Sequence, residues 1–147
     1  MSSTLPELAG YPIVVRWPVQ WGDQDAFGHV NNTVYFRWLE TARIEYGVRI
    51  GLADMHAREK IGPILAAIKC DYRLPVTYPD HVWIGAKITR LGRTSFQMVH
   101  VITSEAAGRV VAEGDSTIVV MDYNAGKPCP IPPAIREAIE RLEGRSL

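Results

Sequence analysis

Ile13, Val14, Val15, Trp17 and Val19 are β-formers, and they predict a strand over Ile13 to Gln20. Pro18 cannot donate to a ladder, so that strand belongs at an edge or a bulge. Trp21 to Asn32 is rich in Gly, Asp and Asn and predicts a loop. The period then changes. Tyr35, Leu39, Ala42, Tyr46 and Ile50 recur at spacings of four, three, four and four, which predicts a helix from about Thr33 to Arg49. Val34, Trp38 and Val48 widen its apolar surface beyond one stripe, so the helix is expected to be deeply buried. Glu40 and Arg43, three apart, are placed to pair on the remaining face. Gly51 is placed to end the helix.

Beyond that helix the pattern predicts strands over Gly62 to Arg73, His81 to Leu91, Thr94 to Ser104 and Arg109 to Met121. Gly92-Arg93 and Ala107-Gly108 read as hairpin turns. In the last strand Val111, Glu113, Asp115 and Thr117 alternate with Val110, Ala112, Ser116 and Ile118, which makes one face the more polar. Ile131 to Leu142 predicts a terminal helix (the segment 130–147), and Pro132 and Pro133 suit its first turn. Ser2 to Pro12 reads as a loose leader, in a single domain spanning 1–147. Strands joined by short turns form an antiparallel meander, and a sheet with one apolar face needs a cover. The expected fold is therefore α+β: an antiparallel sheet of about five strands curled round the long helix, with the Trp83 and Phe96 rings in the core.

The chain has 147 residues, enough for one domain with a substantial core. Lys+Arg and Asp+Glu both number 16, and this balance gives no general attraction to nucleic acid or anionic membrane. Neither is expected as a partner. Met1 to Gly10 has no basic segment followed by an apolar run, so no signal peptide is expected, and no stretch approaches the ~18 apolar residues of a membrane span. Cys70 and Cys129 form no C-x-x-C; a reducing compartment, and hence the cytoplasm, is the expected location.

Candidate chemistry is concentrated in Trp21 to Tyr35, which puts Asp23, Asp25, His29, Asn31 and Asn32 just before the buried helix. Asp23-x-Asp25 begins like a calcium loop, but Phe27 and Val34 occupy positions where an EF-hand needs oxygen ligands. A transition-metal site built on Asp23, Asp25 and His29 lacks a second histidine nearby. A G-x-S-x-G nucleophile elbow is absent. An Asx-rich turn accounts for some of these residues without chemistry: Asp23 folding back on the loop backbone, and Asn31 or Asn32 capping the helix.

The ordered set Asp25-x-x-Gly28-His29-Val30-Asn31-Asn32-x-x-Tyr35, preceded by Asp23 and followed by Trp38, Glu40 and Arg43, resembles the signature of the hotdog-fold thioesterases. It is similar to their 4-hydroxybenzoyl-CoA thioesterase branch, and the element order agrees from about Val14 to Asp122. The resemblance implies an antiparallel sheet wrapped round a central helix and hydrolysis of acyl-CoA thioesters without metal or organic cofactor. It implies a homodimer or homotetramer with the active site at the subunit interface. It makes Asp25 the catalytic carboxylate, as nucleophile or general base, and the backbone N–H at about Asn32 the donor that polarises the thioester carbonyl. The Gly28-His29-Val30-Asn31-Asn32 form is closer to the fatty acyl-CoA enzymes than to the 4-hydroxybenzoyl-CoA enzyme.

A helix N-terminus suits that task, because its first N–H groups are unpaired and its dipole end is positive. Phe36 stands where a capping box needs Glu or Gln, which leaves donors free. His29 could orient the thioester or a water, Asn31 could fix the loop, and Tyr35 joins them as a substrate contact. Arg90, Arg93 and Lys69 are candidate contacts to the coenzyme A phosphates, since Arg–phosphate pairs are charge-assisted. A hotdog acyl-thioester dehydratase or hydratase and a non-catalytic acyl-CoA-binding module stay open as alternatives.

Overall fold

A computed structural model describes residues 5–147. The first strand, β1, runs Ile13–Pro18. The long helix α1 covers Asn32–Arg49, and a helix α2 that the hydrophobic pattern did not predict follows at Leu52–Glu59. Gly51 lies between them at φ 82. It ends α1 as expected, but its left-handed backbone is also the N-cap of α2, so the chain turns and resumes helix. Strands β2 (Ile61–Tyr72), β3 (His81–Leu91), β4 (Ser95–Ser104) and β5 (Arg109–Asp122) come next. A two-residue strand β6 (Lys127–Pro128) and helix α3 (Pro133–Glu143) complete the order, with Pro133 in the first turn of α3.

The sheet is antiparallel in the order β1-β3-β4-β5-β2, with β6 beside β5. Only β3, β4 and β5 form the expected meander. The strand β2 does not pair with its successor. It lies on the far side of β5, in register from Ile61 opposite Asp122 to Tyr72 opposite Ala112. This arrangement makes β1 and β2 the two edges, and β1 carries Pro18 as the edge argument required.

The sheet curls round α1. Tyr35, Trp38, Leu39, Ala42 and Tyr46 of α1 are buried against Ile84, Ala86, Ile88, Met98, Ile102, Ile118 and Val120 of the strands. Gly114 marks the tightest approach: a Cβ there would meet Leu39 at 2.9 Å. The burial is one-sided, because Ile44 (59%) and Val48 (54%) of α1 remain exposed in the single chain. Trp83 is not a core residue. It is half-buried, and its indole N–H donates to Glu105 at 2.7 Å. Phe96 is buried as expected.

The leader is only partly as expected. Its residues 2–4 lie outside the described residues, whereas Pro6–Leu8 forms a 3₁₀ turn with Leu8 buried. No helix among the described residues is long and apolar enough to cross a membrane.

Candidate active site

The loop between β1 and α1 is itself a tight hairpin. Asn31 N–H donates to Asp23 C=O at 2.9 Å, Gln24 bridges Val30, and Asp25 N–H donates to His29 C=O at 2.9 Å. Gly28 closes the turn at φ 81, a left-handed conformation that favours glycine. Alternation along such a hairpin puts Asp25 across from His29 and Asp23 across from Asn31, on one face. Gln24 and Val30 take the other face, which anchors the loop. Val30 is buried and its N–H donates to Val76 C=O at 2.8 Å, while Gln24 Oε1 accepts Tyr78 N–H at 3.1 Å.

The polar side chains of this hairpin divide by what already occupies them. Asp23 accepts Gln20 N–H at 2.7 Å, which holds the loop entry. Asn31 is the N-cap of α1: its Oδ1 accepts Thr33 N–H at 2.9 Å, and its C=O accepts Val34 N–H at 3.0 Å. Asp25 Oδ1 accepts Phe27 N–H at 2.8 Å, and no donor among the described residues reaches its other oxygen. The Asn32 N–H, the first of α1, has no partner among the described residues. The expected free donor is thus specific to Asn32, because Asn31 caps its neighbours.

Asn32, His29 and Tyr35 line one cleft of about 290 Å³ together with Tyr72, Arg73 and Leu74. Asp25 adjoins this cleft through its backbone link to His29 and is not in its wall. Tyr72 is a site residue that the pattern did not single out. Its hydroxyl donates to Asn32 C=O at 3.0 Å, which ties the end of β2 to the first turn of α1. The Tyr35 hydroxyl donates to Leu74 C=O at 3.4 Å, and its ring meets that of Tyr72 edge-on at 5.0 Å. Burial pushes the Tyr35 phenol up to about 12 and raises that of Tyr72, and burial likewise raises the Cys70 thiol. Tyr35 and Tyr72 are therefore neutral hydrogen-bonding groups near neutral pH, and among the described residues no Ser or Cys stands in the cleft wall. The arrangement offers a carboxylate, an imidazole and one unpaired backbone donor, which together can polarise a carbonyl and supply or activate an attacking oxygen.

The three expected phosphate contacts lie elsewhere in the chain. Lys69 is exposed at 3.4 Å from Asp71, and alternation along β2 turns it away from Cys70 and Tyr72 to the outer face of the sheet. Arg90 is near the end of β3 and Arg93 is in the β3–β4 turn. The active-site loop meets the start of β3, near His81, and nine residues of strand span about 30 Å. Within the single chain neither arginine reaches Asp25.

A family model described as the thioesterase-like superfamily matches residues 19–139. The chain belongs to this family. It is similar to the long-chain acyl-CoA thioesterase FadM of Escherichia coli, 29% identical over 118 residues, covering 80% of this chain and 89% of the relative. Among solved structures it resembles a thioesterase from Thermus thermophilus complexed with coenzyme A and Zn. That likeness has 37% identity and a TM-score of 0.84, covering 95% of this chain and 99% of the other. A gentisyl-coenzyme A thioesterase is also similar, at 30% identity and a TM-score of 0.76 over 86% of this chain and 98% of the other. The curled five-stranded sheet and its central helix are the hotdog fold of these thioesterases.

Proposed function

We propose that this protein hydrolyses fatty acyl-CoA thioesters to the carboxylic acid and coenzyme A, with Asp25 as the catalytic carboxylate. The observation that carries the reading is the unpaired Asn32 N–H at the positive end of an 18-residue helix, open to a cleft beside the Asp25–His29 hairpin. A thioester carbonyl accepting from Asn32 gains a donor where charge develops in the transition state. Asp25, with one oxygen uncommitted, either attacks that carbonyl or takes the proton of an attacking water. His29 orients the thioester or the water from the cleft wall. Neutral Tyr35 and Tyr72 bound the cleft, and Tyr72 holds the first turn of α1 in place.

The working unit in this reading is a homodimer or a homotetramer of such dimers. Strand β2 is a 12-residue edge whose Ile64 (43%) and Leu65 (39%) are exposed, and Leu65 shares a groove with the exposed Ile44 of α1. A long apolar edge of this kind calls for a partner. The site then lies at the interface, and Arg90, Arg93 and Lys69 contact the coenzyme A phosphates from a different subunit than the one supplying Asp25.

Release of free thiol from a panel of aliphatic and aromatic acyl-CoAs tests the activity. Turnover of the aliphatic members is expected. Binding without thiol release would replace the reading with a binding module, and loss of enoyl absorbance without thiol would replace it with a hydratase. Light scattering tests the assembly, and a 16.4 kDa species alone would remove the interface.

A further inference from the structure

The most apolar space of the molecule is not beside the cleft that holds Asn32. It measures about 260 Å³ and is walled by Gly47 and Ile50 of α1, Ala53 of α2, Pro63 of β2, and Phe96 and Met98 of β4, with Arg43 as the one charged residue in its wall. Gly47 makes the room. Its φ lies outside the left-handed region, and a Cβ built on it would meet nothing within 4 Å, so neither backbone conformation nor close packing calls for glycine. Glycine within a helix costs stability relative to alanine. What the missing side chain leaves is open apolar space.

Within one chain this chamber is remote from the catalytic end of the helix. Asn32 and Gly47 are fifteen residues apart on α1, about 22 Å along the axis. The active-site cleft shares no lining residue with the chamber, nor with the space walled by Phe36 and Ile68 that lies between them.

A second copy changes the distance. Helix α1 and strand β2 run in opposite directions: Tyr72 at the end of β2 bonds Asn32 at the start of α1, while Pro63 near the start of β2 shares the chamber with Gly47 near the end of α1. Two-fold symmetry pairs an edge strand antiparallel with its own copy and keeps both helices on one side of the joined sheet. Overlap along the whole of β2 sets Tyr72 opposite Ile61 of the partner subunit, and Ile68 opposite the partner's Leu65. The cleft of one subunit then lies beside the chamber end of the other. Neighbouring helices pack about 8–10 Å apart, less than half the ~22 Å that separates the two places within one chain.

We infer that each acyl chain is bound in trans: the thioester sits at Asn32 of one subunit, and its alkyl tail lies in the Gly47 chamber of the other. This rests on the acyl-CoA thioesterase reading above and adds which subunit holds the tail. The subunit that covers the groove is thereby the one that delivers the substrate to it.

The test begins by filling the chamber. Gly47→Phe puts a ring in it, and each methylene kept out forfeits about fourfold, so kcat/KM for dodecanoyl-CoA should fall by roughly tenfold or more relative to that for butanoyl-CoA. Ala53→Phe fills the same space from the exposed side of α2 and should act in the same direction, which keeps the inference open to refutation if Gly47→Phe does not fold. Complementation then separates trans from cis. Asp25→Asn and a folded filling variant are co-expressed under two affinity tags, and the doubly tagged dimer is isolated. In trans one of its two sites is intact, with Asp25 from one chain and the open chamber from the other, so roughly half of the native turnover of dodecanoyl-CoA should return. In cis each site carries one defect and nothing returns. No recovery, or an unchanged length profile in both filling variants, overturns the inference and leaves the thioesterase reading intact. Filling variants that are monomeric by light scattering would mean that side chains of the partner occupy the space, which overturns it as well. Absence of thiol release from every acyl-CoA by the native protein overturns both.

Discussion

At its first turn α1 presents the unpaired Asn32 N–H to an open cleft; four turns on, the same helix has its polar groups locked away. There the buried Tyr46 hydroxyl donates to Glu143 Oε2 of α3 at 2.5 Å. The same oxygen accepts the Ile88 N–H of β3 at 2.8 Å, next to the register shift between Ile88 and Arg90. Burial, followed by the hydrogen bond to Glu143, raises the Tyr46 phenol, so the pair is a neutral donor on a carboxylate. The difference follows from access to water. An unpaired donor beside solvent costs little and can wait for a ligand, whereas one sealed in the core costs its full desolvation. One end of the helix is thus available for chemistry because the other end, with α3 across it, carries the packing.

The sharpest way to break this comparison is at Asp25. Asp25→Asn preserves shape and the bond from Phe27 N–H while removing the charge. It should lower turnover by about 10²–10⁴-fold if Asp25 is a general base, and at least as much if it is the nucleophile. The thermal midpoint should hardly move. Asp23→Asn is the control: its carboxylate is already engaged with Gln20 N–H, so its effect should appear in stability and only slightly in turnover. An active Asp25→Asn beside a dead Asp23→Asn would reverse the assignment.

The opposite end should respond in the opposite sense. Glu143→Ala leaves Tyr46 Oη and Ile88 N–H without their acceptor. Two lost bonds to a charged group, with the donors left in the core, should cost about 2–4 kcal/mol. For a chain of this size that is a fall of roughly 5–15 °C in Tm. The kcat measured well below the transition should stay close to native. A loss of kcat with unchanged Tm would mean that the two ends are not separable.

What was legible in the sequence was what local period and local chemistry determine. The spacing from Tyr35 to Ile50 located α1 within one residue at its start, and the turns at Gly92 and Gly108 located β3, β4 and β5. Asp23 and Asn31 were legible too, because an Asx side chain bonds its own neighbourhood. Long-range placement was not. The pairing of β2 with β5 brings Tyr72 to Asn32, and nothing near residue 72 in sequence indicates it. The eight residues of α2 bury only Leu52 and Met55, too few to register as a period, and Gly51 read as an end concealed its use as a beginning. Arg43 was legible in part. Its spacing from Glu40 indicated the pair, which forms at 3.8 Å, but not that the long arginine stem carries its guanidinium inward and leaves the side chain 17% exposed.

That inward turn sets up a third effect, which is absent at pH 8 and grows only in acid. Beneath α1, between its two ends, His100 of β4 is 2% exposed, and both ring nitrogens lack partners among the described residues. The neighbours facing it are Leu39 and Arg43 from α1, Ala86 from β3 and Gly114 from β5, so among the described residues the one charged group nearby is the Arg43 cation. Burial, and then that cation, push the imidazole down from 6.5 to about 3. The sign follows from counting protons. Between pH 6.5 and about 3 the unfolded chain protonates His100 and the folded chain does not, so the unfolded state binds more protons and stability falls as pH falls. One proton contributes a slope of about 1.4 kcal/mol per pH unit in that window, and none above it. His100→Leu removes the titration and fills the site with an apolar group of similar size. Its stability at pH 8 should equal or exceed native, since two unpartnered nitrogens leave the core. Denaturant titrations at pH 8, 6, 5 and 4 give the difference between the two proteins, in which the carboxylates common to both cancel. That difference should be flat above 6.5 and should grow in favour of the variant below it. A difference that stays constant down to pH 4 would mean that His100 is charged or solvated in the folded protein, and that the middle of α1 is open to water as its first turn is.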